Sequence, residues 1–212
     1  MASEELIDAF EPPPPPHVRE IGRGLVYRDF ITVGVLCKKL KIRDRTGGAV
    51  KDNWIYIQEL GVSVGRLQIF NNWSPAMVAD PENVWIGLEY FCNEEDALWR
   101  KTDPELVELA GQELQSMDVL DRQDVLDATV IRMPKTYPAY FGSYNRFSEI
   151  IAWAREFENL FLIGRNGMHK YNNQDHSMLT AMVTVDNILA GSGGSVNVWE
   201  LNTEQEYHEE RK

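Results

Sequence analysis

Apolar and polar positions alternate along this chain in two rhythms. From Phe30 to Leu40, β-branched and apolar residues dominate (Ile31, Val33, Val35, Leu36), which predicts a strand. Arg43 to Asp52 is polar and contains Gly47-Gly48, a turn. From Asn53 to Gln58, Ile55 and Ile57 oppose Trp54 and Tyr56, a second strand with two unlike faces. Arg66 to Phe70 reads as a third strand, broken by Asn71-Asn72-Trp73-Ser74-Pro75. Val84 to Phe91 is a nearly continuous apolar run and predicts a central strand covered on both faces.

The rhythm then changes. Asp103-Pro104 reads as an N-cap followed by proline at the first helical position, and Leu106, Leu109, Ala110, Leu114 and Met117 recur at helical spacing. Leu126 to Met133 predicts another strand, ending at Pro134. Ser143 to Phe157 predicts a helix with Phe147, Ile150, Ile151 and Ala154 on one face. Leu160 to Ile163 predicts a short buried strand. From about Asp175 to Leu189 a helix carries Met178, Ala181, Met182, Val185, Ile188 and Leu189 on one stripe, and Gly191 to Gly194 stops it. Pro12 to Pro16 predicts an extended connector, with a ligand for a proline-recognising domain as the other reading. The tail from Glu200 to Lys212 is highly charged, with Trp199 as its expected anchor. Strands first and irregular helices afterwards favour an α+β fold with a mixed, mostly antiparallel sheet.

Composition narrows the function classes. The chain has 212 residues, 43% hydrophobic and 25% charged, as in a soluble globular protein. A net charge of −12 argues against nucleic-acid binding and against docking on an anionic membrane. No apolar run reaches the roughly 20 residues of a membrane span. Met1-Ala2-Ser3-Glu4-Glu5 shows no signal-peptide pattern. Cys37 and Cys92 lack disulfide-framework or metal-ligand spacing and are expected reduced within strands, in a cytoplasmic setting.

Candidate chemistry concentrates between Leu162 and Met178, where a predicted strand, a polar loop and a helix follow one another. Gly164 and Gly167 let backbone approach a flat or bulky ligand. The unpaired N–H groups at the helix start favour an anion or a ring carbonyl that gains charge. Arg165 could clamp a phosphate or carboxylate, Tyr171 could stack on a ligand, and Asn172, Asn173 or Asp175 could cap the helix. The bland alternative is that the glycines serve a turn and the asparagines and aspartate only cap. His169 and His176 lie seven apart across a loop, which is not the spacing of a helical zinc pair, so no metal is expected. No Gly-x-Ser-x-Gly elbow is present.

The pattern Gly164-Arg165-x-Gly167-x-x-Lys170-Tyr171-x-Asn173-x-Asp175 resembles the C-terminal flavin-contacting segment of UDP-galactopyranose mutases and of bacterial flavoproteins of the protoporphyrinogen-oxidase-like and amine-oxidase-like group. Tyr27-Arg28-Asp29-Phe30, Gly65-Arg66, Asn72-Trp73-Ser74-Pro75, Leu88-Glu89-Tyr90-Phe91 and Tyr137-Pro138-x-Tyr140 are similar to the substrate domain of that group. The resemblance covers roughly Pro12 to Leu189. One departure is large: nothing here matches the Gly-x-Gly-x-x-Gly that opens an FAD-binding Rossmann unit. Gly22-x-Gly24 lacks the third glycine, and the glycines at 191–194 follow a helix instead of preceding one.

The resemblance therefore implies the C-terminal half of an FAD-dependent oxidoreductase. It implies a proline-rich segment at 1–24, a substrate-binding domain at 25–158, the last strand–loop–helix of the FAD domain at 159–190, and a charged tail at 191–212. Gly164, Arg165, Gly167, Tyr171, Asn173, Gln174 and Asp175 would contact the cofactor, FAD. Arg66, Arg132, Tyr137, Tyr140 and Arg165 would contact a small-molecule substrate. No catalytic residue is named. The partner implied is an N-terminal Rossmann half, without which this chain would neither retain FAD nor be active; self-association is compatible with the reading. Two alternatives stay open: a mutase-like flavin-dependent isomerisation of a sugar nucleotide, needing more than one Arg for the diphosphate, and a non-catalytic interaction domain that pairs with a separate Rossmann chain and exposes an apolar patch.

Overall fold

The computed structural model describes residues 1–191 and 197–201. In chain order the elements are α1 (Ser3–Ala9), α2 (Pro16–Arg23), β1 (Leu25–Cys37), β2 (Trp54–Tyr56), β3 (Arg66–Ile69), α3 (Phe70–Trp73), β4 (Val84–Cys92), α4 (Asp103–Ser116), β5 (Val125–Gly142), α5 (Phe147–Ala154), α6 (Gly164–Gly167) and α7 (Gln174–Leu189). The strands form one sheet in the order β2-β3-β4-β1-β5, and the β2–β3, β3–β4 and β4–β1 pairs are antiparallel. The expected α+β class is therefore observed. No described helix is long and apolar enough to cross a membrane. Two compact units divide the chain: residues 28–134, and residues 1–27 together with 135–212.

In the unit 28–134, alternation sorts each strand's side chains onto two faces. Ile31, Val33, Val35, Leu67, Ile69, Ile86, Leu88 and Tyr90 form one buried core with Leu106, Ala110 and Leu114 of α4. The helix starts where a capping pair closes it. Thr102 donates from its backbone N–H and its hydroxyl to Oε2 of Glu105, each at 2.8 Å. The N-cap is thus Thr102, with Asp103 and Pro104 already inside the helix. Glu113 is a buried carboxylate on α4. It accepts from the Ser63 and Val64 amides and, at 3.0 Å, from the Tyr90 hydroxyl, tying the loop before β3 to the helix. Burial, and then the Glu113 charge, push the Tyr90 hydroxyl pKa upward. Cys37 and Cys92 are buried on β1 and β4, and burial raises each thiol to about 11.

In the other unit, Ile7, Val18, Ile21, Leu25, Phe147, Ile150, Trp153, Ala154 and Leu162 form a second core. The expected connector is a short, mostly exposed link between two helices whose apolar residues join this core. Pro12 to Pro15 lie between two short helices, and Pro16 begins α2, where a proline loses no helical bond. Val18 and Ile21 are fully buried. Gly22 lies against Ile7, and a Cβ there would come within 3.0 Å of its side chain.

Two strand expectations are corrected in this unit. β5 does not end at Pro134 but runs on to Gly142. It is an edge strand, where a missing N–H is tolerated, and Lys135 follows the proline at φ +53. Residues 160–163 form no strand, because no partner strand among the described residues pairs with them. The helix expected over Ser143–Phe157 splits into a 3₁₀ turn (Ser143–Arg146) and α5. Trp199 packs edge-on against Phe147, with ring centroids 6.1 Å apart. The glycine run after Gly191 and the charged tail after Leu201 lie outside the described residues.

Candidate ligand loop and sheet face

The loop begins at Gly164, whose φ of +69° lies in the left-handed region that glycine enters without strain. Its N–H donates to Thr180 Oγ1 at 3.2 Å, fastening the turn to α7. A single helical turn, α6, follows, and the Ser3 hydroxyl donates to the carbonyls of Asn166 and Gly167. The chain then dives inward: Met168 and His169 are buried.

Arg165 is the hub of the loop. Its Nε (3.0 Å) and Nη2 both donate to the Asn172 carbonyl, and Nη1 donates to the Thr136 carbonyl at 3.3 Å. The guanidinium lies over the rings of Tyr171 (4.7 Å) and Tyr137 (5.3 Å), which are nearly parallel to each other at 18°. The Tyr140 hydroxyl accepts from the Tyr171 N–H at 2.7 Å. Arg165, Tyr137, Tyr140 and Tyr171 are therefore one cluster, as residues of one candidate site. The arginine's fork is directed at backbone carbonyls that fix the loop.

The start of α7 is the best-exposed part of the loop. Asn173, Gln174 and Asp175 are exposed, and no side chain caps the helix. The expected caps are otherwise engaged: Asn172 is buried and its Oδ1 accepts from the Ser177 hydroxyl at 3.0 Å. The first-turn N–H groups of this 16-residue helix keep their partial positive charge available.

His169 sits out of solvent among the rings of Tyr27 (4.7 Å), Tyr144 (5.6 Å) and Phe147 (5.7 Å), with Nε2 3.0 Å from the Ala139 carbonyl. Burial lowers its pKa. A donor is needed toward that carbonyl, so Nε2 carries the proton and Nδ1 is left without a partner among the described residues.

Arg66 and Arg132 belong to the other unit, on opposite faces of its sheet. Arg132 follows the core-facing Ala128 and Val130 in alternation. It pairs with Asp103 at 2.5 Å and donates to the carbonyls of Lys101 and Trp99, all next to α4. Arg66 alternates with the core residue Leu67 and faces the other way. Its Nε donates to Glu89 Oε2 at 2.7 Å, and Gln68 donates to Oε1 of the same carboxylate. The two arginines do not converge on one ligand. The Arg66–Gln68–Glu89 set was not among the expected sites as a group; its signal was Glu89, the one charged residue inside the apolar run Val84–Phe91.

No family model matches the sequence, and no curated protein matches it. Solved structures do. The crystal structure of reduced UDP-galactopyranose mutase matches 95% of this chain with a TM-score of 0.71 at 18% identity. That of a protoporphyrinogen oxidase-like protein from Exiguobacterium sp. 255-15 matches 90% with a TM-score of 0.62 at 12% identity. The chain spans 43% and 40% of those two chains. Its fold is that of part of a UDP-galactopyranose mutase and of part of a protoporphyrinogen oxidase-like protein.

Proposed function

We propose that this chain is the substrate-binding part, with the last helix of the cofactor domain, of an FAD-dependent oxidoreductase, and that it works only with a Rossmann half that cradles the rest of the cofactor. The observation that carries the reading is an unpartnered apolar surface next to the loop. Of the stripe expected on α7, Met178, Met182, Val185, Ile188 and Leu189 point to solvent, with Met182 62% and Leu189 79% exposed, and Ala181 is half-buried; Thr180 and Thr184 take the buried side. The extended residues 160–163 make no backbone hydrogen bond among the described residues. A groove of about 920 Å³ runs beside them, lined by Phe157, Leu160, Leu162, Ile188 and Trp199 among others. Burying each side chain of this size is worth about 1.5–3 kcal/mol, and an unpaired strand recovers its hydrogen bonds on joining a sheet. A second domain bringing a sheet would satisfy both.

The uncapped start of α7 fits the pyrimidine edge of a flavin. Backbone N–H groups near Asn173, Gln174 and Asp175 would hold that edge and stabilise negative charge on it. When bound, the flavin would accept a hydride from a substrate carbon at N5. Gly164 and Gly167 let the turn close against Ser177 and Leu162, and Arg165, Tyr137, Tyr140 and Tyr171 hold the loop in place. Hydride transfer is favoured over the mutase-like alternative because Arg66 and Arg132 are each paired with a carboxylate and face opposite ways.

The reading is tested by mixing this chain with the flavin-binding half and FAD, and following flavin absorbance through gel filtration. Co-elution of flavin with both chains supports it. A colourless mixture in which the chains elute apart rejects it.

A further inference from the structure

The face of the sheet turned away from α4 in the unit 28–134 carries an aromatic cluster that the flavin reading leaves unused. The Arg66 guanidinium lies 5.8–5.9 Å from the ring centres of Trp54, Tyr56 and Phe91. Beneath it, Glu89 is 2% exposed and holds the guanidinium, while Gln68 occupies the other carboxylate oxygen. Trp54 and Trp73 pack at 5.1 Å with their rings tilted by 45°, each about two-fifths exposed (41% and 42%).

This arrangement is built in advance of any ligand. The turn bearing Trp73 is pinned on both sides: Asn72 Nδ2 donates to the carbonyls of Val50 and Asp52, and Asn71 bridges the Asn83 carbonyl and the Trp85 N–H. Gly34 and Gly87 oppose each other across β1 and β4, and the Trp85 and Phe70 rings pack over them. A Cβ on Gly87 would meet the Phe70 ring at 2.9 Å.

We propose that this face binds a planar, uncharged, aromatic ligand by stacking on Trp54, Trp73 and Tyr56. The proposal rests on the reading of this part of the chain as substrate-binding and names the class of that substrate. Charge decides against an anion: Arg66 and Glu89 cancel within one buried pair, so the face offers no net positive charge to a diphosphate. Chemistry decides against a sugar: a hydroxyl-rich ring needs donors and acceptors aimed at it, and here the guanidinium, amide and carboxylate are turned on one another. What the face presents outward is indole and phenol surface, which attracts flat π-systems.

The test uses the 212-residue chain alone, labelled with ¹⁵N, and follows its tryptophan indole N–H signals during titration. The probes are coumarin (neutral and aromatic), pyrophosphate, and methyl galactoside. Coumarin is expected to shift the Trp54 and Trp73 signals saturably, and binding should weaken at least tenfold in Trp54→Ala or Trp73→Ala while Trp54→Phe stays within a few-fold of wild type. Pyrophosphate and methyl galactoside should leave both signals in place at the same concentrations. The proposal is overturned if coumarin moves neither signal, if both alanine variants bind it as wild type does, or if either other probe binds as tightly. Because no flavin-binding half is present, this outcome is read independently of flavin uptake.

Discussion

The guanidinium of Arg165 reaches seven residues along the chain to the Asn172 carbonyl, which it grips with Nε and Nη2 together. That contact, with the Thr136 carbonyl and the two tyrosine rings, sets the shape of the loop ahead of α7. Replacing Arg165 by Ala leaves partly buried carbonyls without their charged donor, a loss of about 1–3 kcal/mol. Arg165→Lys should lose nearly as much, since an ammonium cannot reproduce the fork. Urea denaturation of the three proteins checks this; equal midpoints would remove Arg165 as the organiser of the loop.

The Arg66–Glu89 pair should behave as a buried one. Arg66→Ala strands a carboxylate that is 2% exposed, and breaking a buried pair from one side costs about 3–5 kcal/mol. Arg66→Met with Glu89→Leu, which removes both charges, should recover most of that loss. A double-mutant cycle measures the coupling, and near-additive losses would contradict a shared buried pair.

His169 gives stability a dependence on pH. Its native pKa lies below its ordinary value because burial opposes the charged ring. Above about pH 6.5 the imidazole is neutral in both folded and unfolded chains. Below that, only the unfolded chain takes up the proton, so stability falls with pH until the native ring protonates as well. Urea midpoints measured between pH 7.5 and pH 5 should fall less steeply for His169→Asn, a residue that tolerates the φ of +46° found there. Identical slopes would contradict a buried, neutral His169.

The exposed stripe of α7 should matter for assembly and little for the fold of this chain. Met182→Glu and Ile188→Glu sit on solvent-facing positions and should change stability by no more than about 0.5 kcal/mol. Each should abolish retention of flavin with the flavin-binding half. Variants that still elute with flavin and partner would show that the stripe is not the contact surface.

Most of the unit 28–134 was legible in the sequence because its strands bury one face. Ile55 and Ile57 opposing Trp54 and Tyr56, and the run Val84–Phe91, follow the pleat, and β2 and β4 appear within a residue or two of the expected places. The chain from Pro134 onward was less legible, for physical reasons. Pro134 looks like a strand end, yet on an edge strand it costs no ladder bond. Residues 160–163 have a strand's composition but form one only with a neighbour, which local pattern cannot supply. The α7 stripe has a core helix's spacing and faces water for the same reason. In the candidate site, the Gly164 turn and the cluster of Arg165 with its tyrosines lay in the quoted motifs. The separation of Arg66 from Arg132 did not, since it depends on which sheet face each strand residue takes.

Residues 160–163 are where a missing partner strand would show first. Their amide hydrogen exchange should be measured in this chain alone, and then with the flavin-binding half and FAD. Exchange should be fast in the isolated chain and slowed at least tenfold in the mixture, as the segment gains a partner strand and α7 is covered. Unchanged exchange at 160–163, in a mixture where the partner half has bound flavin, would contradict it.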